Sequence, residues 1–95
     1  MEFQFQARIF EWRGPAPFYF VALPDDVATF VASMANQLTY GWGVIPVSAT
    51  IGKTTFTTSM FPREGGYLLG LKATVRSTEN LKQGDDIEVK LALNM

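Results

Sequence analysis

The chain has 95 residues, 47% of them hydrophobic, and a formal charge of −1 from eight basic and nine acidic side chains. That length makes one domain, 1–95, and the near-neutral balance offers no broad cationic surface to nucleic acid. The absence of cysteine and histidine excludes disulfides and thiolate metal sites, and removes the usual general base and zinc ligand.

The opening residues Met1 to Gln6 alternate and have no basic start followed by an apolar block, so no signal peptide is expected. The longest apolar run, Phe18 to Leu23, is too short to span a bilayer. A cytoplasmic location is the expectation, with no membrane partner.

Phe3, Phe5, Ala7 and Ile9 fall on one face of an alternating segment, opposite Gln4, Gln6 and Arg8, which predicts a first strand with one buried side. Glu11 to Pro17 carries Gly14, Pro15 and Pro17 and reads as a loop. Phe18 to Leu23 is a second strand, apolar on both faces, as a curled or helix-covered sheet requires.

Leu23-Pro24-Asp25-Asp26 then starts a helix, with proline tolerated in the first turn and aspartates placed at the positive end of the helix dipole. Val27, Phe30, Val31, Met34 and Leu38 form its apolar stripe, a core-facing pattern. Asn36 to Gly43 turns the chain. A third strand follows at Val44 to Ile51, with Pro46 admissible at an edge or bulge. Gly52-Lys53 is a tight connection to a fourth strand, Thr54 to Phe61, rich in β-branched threonine.

Pro62 to Gly66 reads as a turn and Tyr67 to Leu71 as a fifth strand. Ala73 to Leu81 predicts a second helix with Val75 and Leu81 inward. Gly84-Asp85-Asp86 reverses into a sixth strand in which Ile87, Val89, Leu91 and Leu93 alternate with polar neighbours. Strand, strand, helix, strand therefore occurs twice. The expected architecture is mostly β: a closed six-stranded barrel built from two such units by internal duplication and capped by two helices, since closure removes exposed edges. An open α+β sheet is the alternative.

Several short runs resemble one known family. Leu23-Pro24, Gly41-Trp42-Gly43, Pro46-Val47, Ala49-Thr50-Ile51-Gly52, Thr58-Ser59 with Pro62, Gly66-Tyr67, Leu71-Lys72, Arg76 and Gly84-Asp85 look like the domain-of-unknown-function family nineteen-oh-five, over nearly the whole chain. The resemblance implies a small barrel similar to the double-psi and swapped-hairpin group. Members are often joined to a bacteriocin-protection-type domain, and this chain looks like the stand-alone version. The family has no established activity, so no catalytic position carries over.

Among candidate chemistries, the adjacent pairs Asp25-Asp26 and Asp85-Asp86 could in principle serve hydrolysis, but helix-start and turn roles already account for both. No EF-hand-like spacing accompanies them, and no metal is expected. Ser33, Ser48, Ser59 and Ser77 have no histidine base and no nucleophile elbow. Gly52-Lys53-Thr54 mimics only the tail of a phosphate loop.

Arg63, Lys72, Arg76 and Lys82 raise a DNA-binding regulator as an alternative. They are few for a duplex binder, and nucleic acid is not the expected partner. The remaining feature is a set of aromatic and basic residues near loops: Trp12 and Arg13, Tyr40 and Trp42, then Phe61 and Arg63, with Lys72 and Arg76 further on. Such groups offer large contact area and planar donors to a ligand or protein. Trp42 has the competing role of plugging a barrel end.

The sequence-based reading is a non-enzymatic binding or interaction module for an unidentified small ligand or protein. It has no cofactor, and it is a monomer or weak dimer. A carboxylate-based hydrolase and the DNA-binding regulator are the alternatives.

Overall fold

The computed structural model describes residues 2–12, 18–34 and 44–93. Its elements are β1 (Glu2–Arg8), β2 (Phe10–Trp12), β3 (Phe18–Ala22), α1 (Asp25–Ser33), β4 (Ile45–Ile51), β5 (Thr54–Arg63), β6 (Gly66–Leu71), α2 (Ala73–Thr78) and β7 (Asp86–Leu93). The alternation read from the sequence becomes the inner face of the sheet. Ile45, Val47, Ala49 and Ile51 of β4 and Ile87, Val89, Leu91 and Leu93 of β7 are all buried. Phe5 is buried on the same face of β1, with Phe3 and Ala7 packed against the cluster.

Every ladder is antiparallel, in the order β1-β7-β4-β5-β6-β3-β2. The closing strand does lie beside the opening one, Glu2 to Arg8 facing Ala92 to Asp86. The expected closed ring of six strands does not form. Seven strands curl into a half-barrel instead, because the opening segment is broken in two. Residues up to Arg8 pair with β7, and residues from Phe10 pair with β3 on the opposite edge. At the break, the Ile9 N–H donates to the Asp85 carbonyl at 2.9 Å, and its own carbonyl accepts from Gly84 N–H at 2.8 Å. Both main-chain groups of Ile9 thus go to the turn before β7, and its side chain is buried at 1% exposure.

A similar division occurs in β5 without a break. Thr54 to Met60 pair with β4, and Met60 to Arg63 pair with β6. The turn expected at Pro62 to Gly66 shrinks to Glu64-Gly65, because Pro62 and Arg63 continue the strand opposite Tyr67 and Gly66. Glu64 and Gly65 have φ of 49° and 81°, the pair of positive angles that a two-residue hairpin with a type I′ turn needs. Pro62 is tolerated because, past Met60, the β4 side of β5 carries no ladder among the described residues. Pro46 likewise precedes the first β4–β7 pair, Val47 with Leu93.

Helix α1 begins at Asp25, with Pro24 at the N-cap position and Asp25 and Asp26 in the first turn. Val27, Ala28 and Val31 are buried, and Phe30 tilts onto Phe3 of β1 with centroids 5.2 Å apart. Leu38, the last residue of the expected stripe, lies outside the described residues, as does the expected turn at residues 36–43. Helix α2 stops at Thr78, short of the expected Leu81. Asn80 adopts φ 54°, and Leu81 N–H donates to Arg76 O at 2.8 Å while Asn80 N–H donates to Ser77 O at 3.3 Å. That bonding pattern is a Schellman termination, for which asparagine is a tolerated left-handed residue.

The core is wholly apolar among the described residues, with no buried polar or charged side chain. No helix among them is long and apolar enough to cross a membrane. Leu91 is fully buried in β7, a strand flanked by β1 and β4. Leu91→Ala is expected to cost about 2–5 kcal/mol, through lost transfer energy and an incompletely filled cavity. Lys90→Ala on the exposed face should stay within about 0.5 kcal/mol. Urea unfolding midpoints of the two variants check the contrast.

Candidate functional site

The site grows from the division of β5. Strand β6 meets β5 only from Met60 onward, so Thr57, Thr58 and Ser59 run alongside Gly70 and Leu71 without a β5–β6 ladder. A groove of about 990 Å³ opens there. Aromatic side chains of β3 (Phe18, Tyr19 and Phe20) and Phe61 of β5 line it, and Lys72 and Arg76 reach it from the start of α2. Its size is at the upper end of small-molecule sites, which mix apolar walls with a few placed polar groups.

Gly70 keeps the groove open. A Cβ on it would stand 3.4 Å from Thr58 Oγ1, 3.7 Å from the Ser59 carbonyl and 3.8 Å from Phe20 Cε1, all of them residues of the groove wall. Thr58 Oγ1 donates to the Gly70 carbonyl at 2.8 Å and so ties the two diverging strands together.

Lys72 caps α2, and Arg76 N–H donates to its carbonyl at 3.0 Å, which places the two side chains one helical turn apart. The Arg76 guanidinium lies over the Tyr19 ring, 3.9 Å from its centroid. Tyr19 is fixed in turn by its cross-strand neighbour Glu11, whose Oε2 accepts from the phenol at 2.8 Å. Arg76 Nε is buried and has no acceptor. A buried donor without a partner bears the cost of desolvation, and a nitrogen closed to water is closed to a ligand oxygen as well, so an anion in the groove would meet the terminal nitrogens of the fork.

A smaller cleft of about 360 Å³ shares Phe18, Phe20 and Phe61 with the groove and continues to Trp12 and Arg63. Arg63 lies over the Trp12 ring at 3.9 Å from the centroid, with Glu64 at 4.0 Å from its Nε. Phe20 meets Phe61 edge-on at 6.1 Å. Trp12, Phe18 and Phe61 remain 41%, 59% and 40% exposed, a continuous aromatic border instead of isolated surface residues.

The structure therefore gathers four of the seven residues nominated from sequence, in two pairs: Trp12 with Arg63, and Lys72 with Arg76. Arg13, Tyr40 and Trp42 lie outside the described residues. Sequence reading missed Phe18, Tyr19, Phe20 and Gly70, because it assigned the apolar run of β3 to packing on both faces. Arg63 and Lys82 do not join Lys72 and Arg76 in the groove.

Asp25 and Asp26 sit in the first turn of α1, and the second carboxylate pair has structural partners. Asp85 Oδ2 accepts from Lys82 N–H at 2.9 Å within its turn, and Asp86 Oδ1 meets Arg8 Nε at 3.1 Å across the β1–β7 ladder. Among the described residues no three carboxylates gather closely enough to hold a metal ion.

The family model for a domain of unknown function (DUF1905) matches residues 5–91. The chain belongs to that family. No curated protein matches it. Thr58-Ser59, Leu71-Lys72 and Arg76, among the residues that carry the resemblance of this DUF1905 chain to its family, all line the groove.

The Tyr19 phenol is held above its ordinary value of 10.0, first by its hydrogen bond to Glu11, then by desolvation and the Glu11 charge, with Arg76 opposing. The folded chain therefore binds that proton more tightly than the unfolded one. The contribution is fully present below about pH 10 and lost as pH rises through the folded value. Glu11→Ala is expected to bring the Tyr19 titration midpoint down toward the ordinary phenol, as read from its ring carbon shifts by NMR. An unmoved midpoint would show that Glu11 does not hold the ring.

Proposed function

We propose that this chain is a non-enzymatic binding module whose ligand seat is the groove between β3, β5, β6 and α2. The single observation that carries the reading is the exposed aromatic border over a groove of about 990 Å³, kept vacant by Gly70. Large exposed aromatics beside a concavity are costly to leave in water, and they recover that cost against an apolar ligand.

The same reading makes the pairing scheme meaningful. In the first half, the opening segment serves β7 with one end and β3 with the other. In the second half, β5 serves β4 and β6 in the corresponding way. This correspondence supports descent of the two halves from one duplicated unit. In the second half, the departure of β5 from β6 is used to seat the ligand. A cytoplasmic monomer or weak dimer fits a module of this kind.

The test is titration of the neutral fluorescent probe phenylnaphthylamine into the folded protein. Its emission should rise on binding, and Gly70→Leu, which fills the groove, should weaken that binding by on the order of tenfold or more while leaving the urea midpoint within about 1 kcal/mol of the parent. Undiminished probe binding by a folded Gly70→Leu variant would remove the groove from consideration.

A further inference from the structure

We infer that the ligand of this groove is an aromatic carboxylic acid, its ring system against Phe18, Phe20 and Phe61 and its carboxylate on Arg76 with Lys72 beside it. The inference rests on the reading of the groove as the ligand seat and adds the chemical class of the occupant.

Three features select this class. The first is the division of the lining: aromatic carbon from β3 and Phe61, and cations only from α2 and its N-cap residue. A ligand that matches it has a flat apolar body and one anionic end.

The second is the state of Arg76. Its guanidinium is already held over the Tyr19 ring at 3.9 Å, and Tyr19 is held by Glu11 at 2.8 Å, so little freedom remains to be lost when an anion arrives. Stacking occupies the face of the guanidinium and leaves its edge, where the N–H groups lie, for an in-plane acceptor. A planar carboxylate suits that edge. Arg76 Nε is itself enclosed, so the contact falls to the two terminal nitrogens of the fork.

The third is the amount of positive charge. Lys72 and Arg76 are the only cations lining the groove among the described residues. Glu11, which accepts from the Tyr19 phenol, lies in the same local field. One carboxylate is balanced by this pair. A phosphate ester, with up to two negative charges, calls for a denser set of donors.

The test compares naphthoate with its neutral isostere naphthamide on the intact chain, by calorimetric titration, with NMR chemical shifts of the groove residues to place the ligand. Naphthoate is expected to bind on the order of tenfold more tightly than naphthamide, the gain of a charge-assisted contact. Arg76→Met should weaken naphthoate by far more than it weakens naphthamide, removing most of that preference, and Arg76→Lys should restore part of it. Circular dichroism shows whether each variant is folded.

Equal binding of the two probes, or a preference that survives in Arg76→Met, overturns the carboxylate assignment and leaves the groove reading standing. Failure of naphthoate and naphthamide to bind a chain that still binds phenylnaphthylamine overturns the assignment alone, and failure of all three removes the groove reading as well. Tighter binding of naphthyl phosphate than of naphthoate would also overturn it. If Arg76→Met does not fold, Lys72→Met carries the comparison, with a smaller but measurable loss of preference expected and an unchanged preference counting against the proposal.

Discussion

Met60 belongs to two ladders at once. It faces Ile45 of β4 on one side and Leu69 of β6 on the other, and all three side chains are fully buried. Before Met60, β5 follows β4; after it, β5 follows β6. A strand can serve two neighbours in succession only by bending, and a bend on a sheet is held when the inner side chain at the bend is clamped in the core. The flexible thioether of methionine suits a site where packing is imposed by two neighbouring strands at once. The consequence at the surface is the wedge between the first part of β5 and the end of β6, which is the groove.

The apolar core makes that bend affordable in free energy. With no disulfide, no metal cluster and no buried polar side chain among the described residues, what holds the half-barrel is side-chain burial and the backbone ladder. The hairpins bring the diverging strands back into place. Gly52 (φ 61°) turns β4 into β5, and Glu79 at the end of α2 accepts from Thr54 at 2.6 Å, which fastens α2 to the start of the strand that leaves β6. Helix, hairpin and wedge are therefore one connected unit, and the cations of α2 inherit their positions from it.

The inner face was legible in the sequence because period-two alternation is a direct consequence of strand geometry. Ile45 to Ile51 and Ile87 to Leu93 needed no knowledge of the fold. Closure was not legible in the same way. Phe3 to Ile9 reads as one alternating strand and Glu11 to Pro17 as a loop, and nothing local says that the chain changes partners at Ile9 and continues as strand through Trp12. That depends on where Gly84 and Asp85 lie in space, 75 residues or more further along the chain. The shortening of α2 is a compromise of the same origin: Leu81 fits the apolar spacing of a helix, yet Asn80 takes the left-handed conformation and ends it. For the site, residue type was informative and spacing was not. Arg63 and Trp12 could be picked out as loop aromatics and cations, but their stacking joins positions 51 apart. Arg76 on Tyr19 joins positions 57 apart. Gly70, inside an apolar strand, gives no sign in sequence that its missing side chain is what leaves the groove open.

That glycine decides how the aromatic border should be understood. Phe18 and Phe61 could be exposed merely because a small domain has more large apolar residues than it can bury. In that case, valine or isoleucine at the adjacent strand position would cover part of the neighbouring Phe20 ring and add strand propensity. Gly70 has φ outside the left-handed region, so its backbone demands no glycine, and a Cβ there would meet only ordinary contacts. A residue that neither the backbone nor the packing requires, placed where any larger one would fill a groove walled by aromatic rings and ended by two cations, is a cost to strand stability that space for an occupant explains.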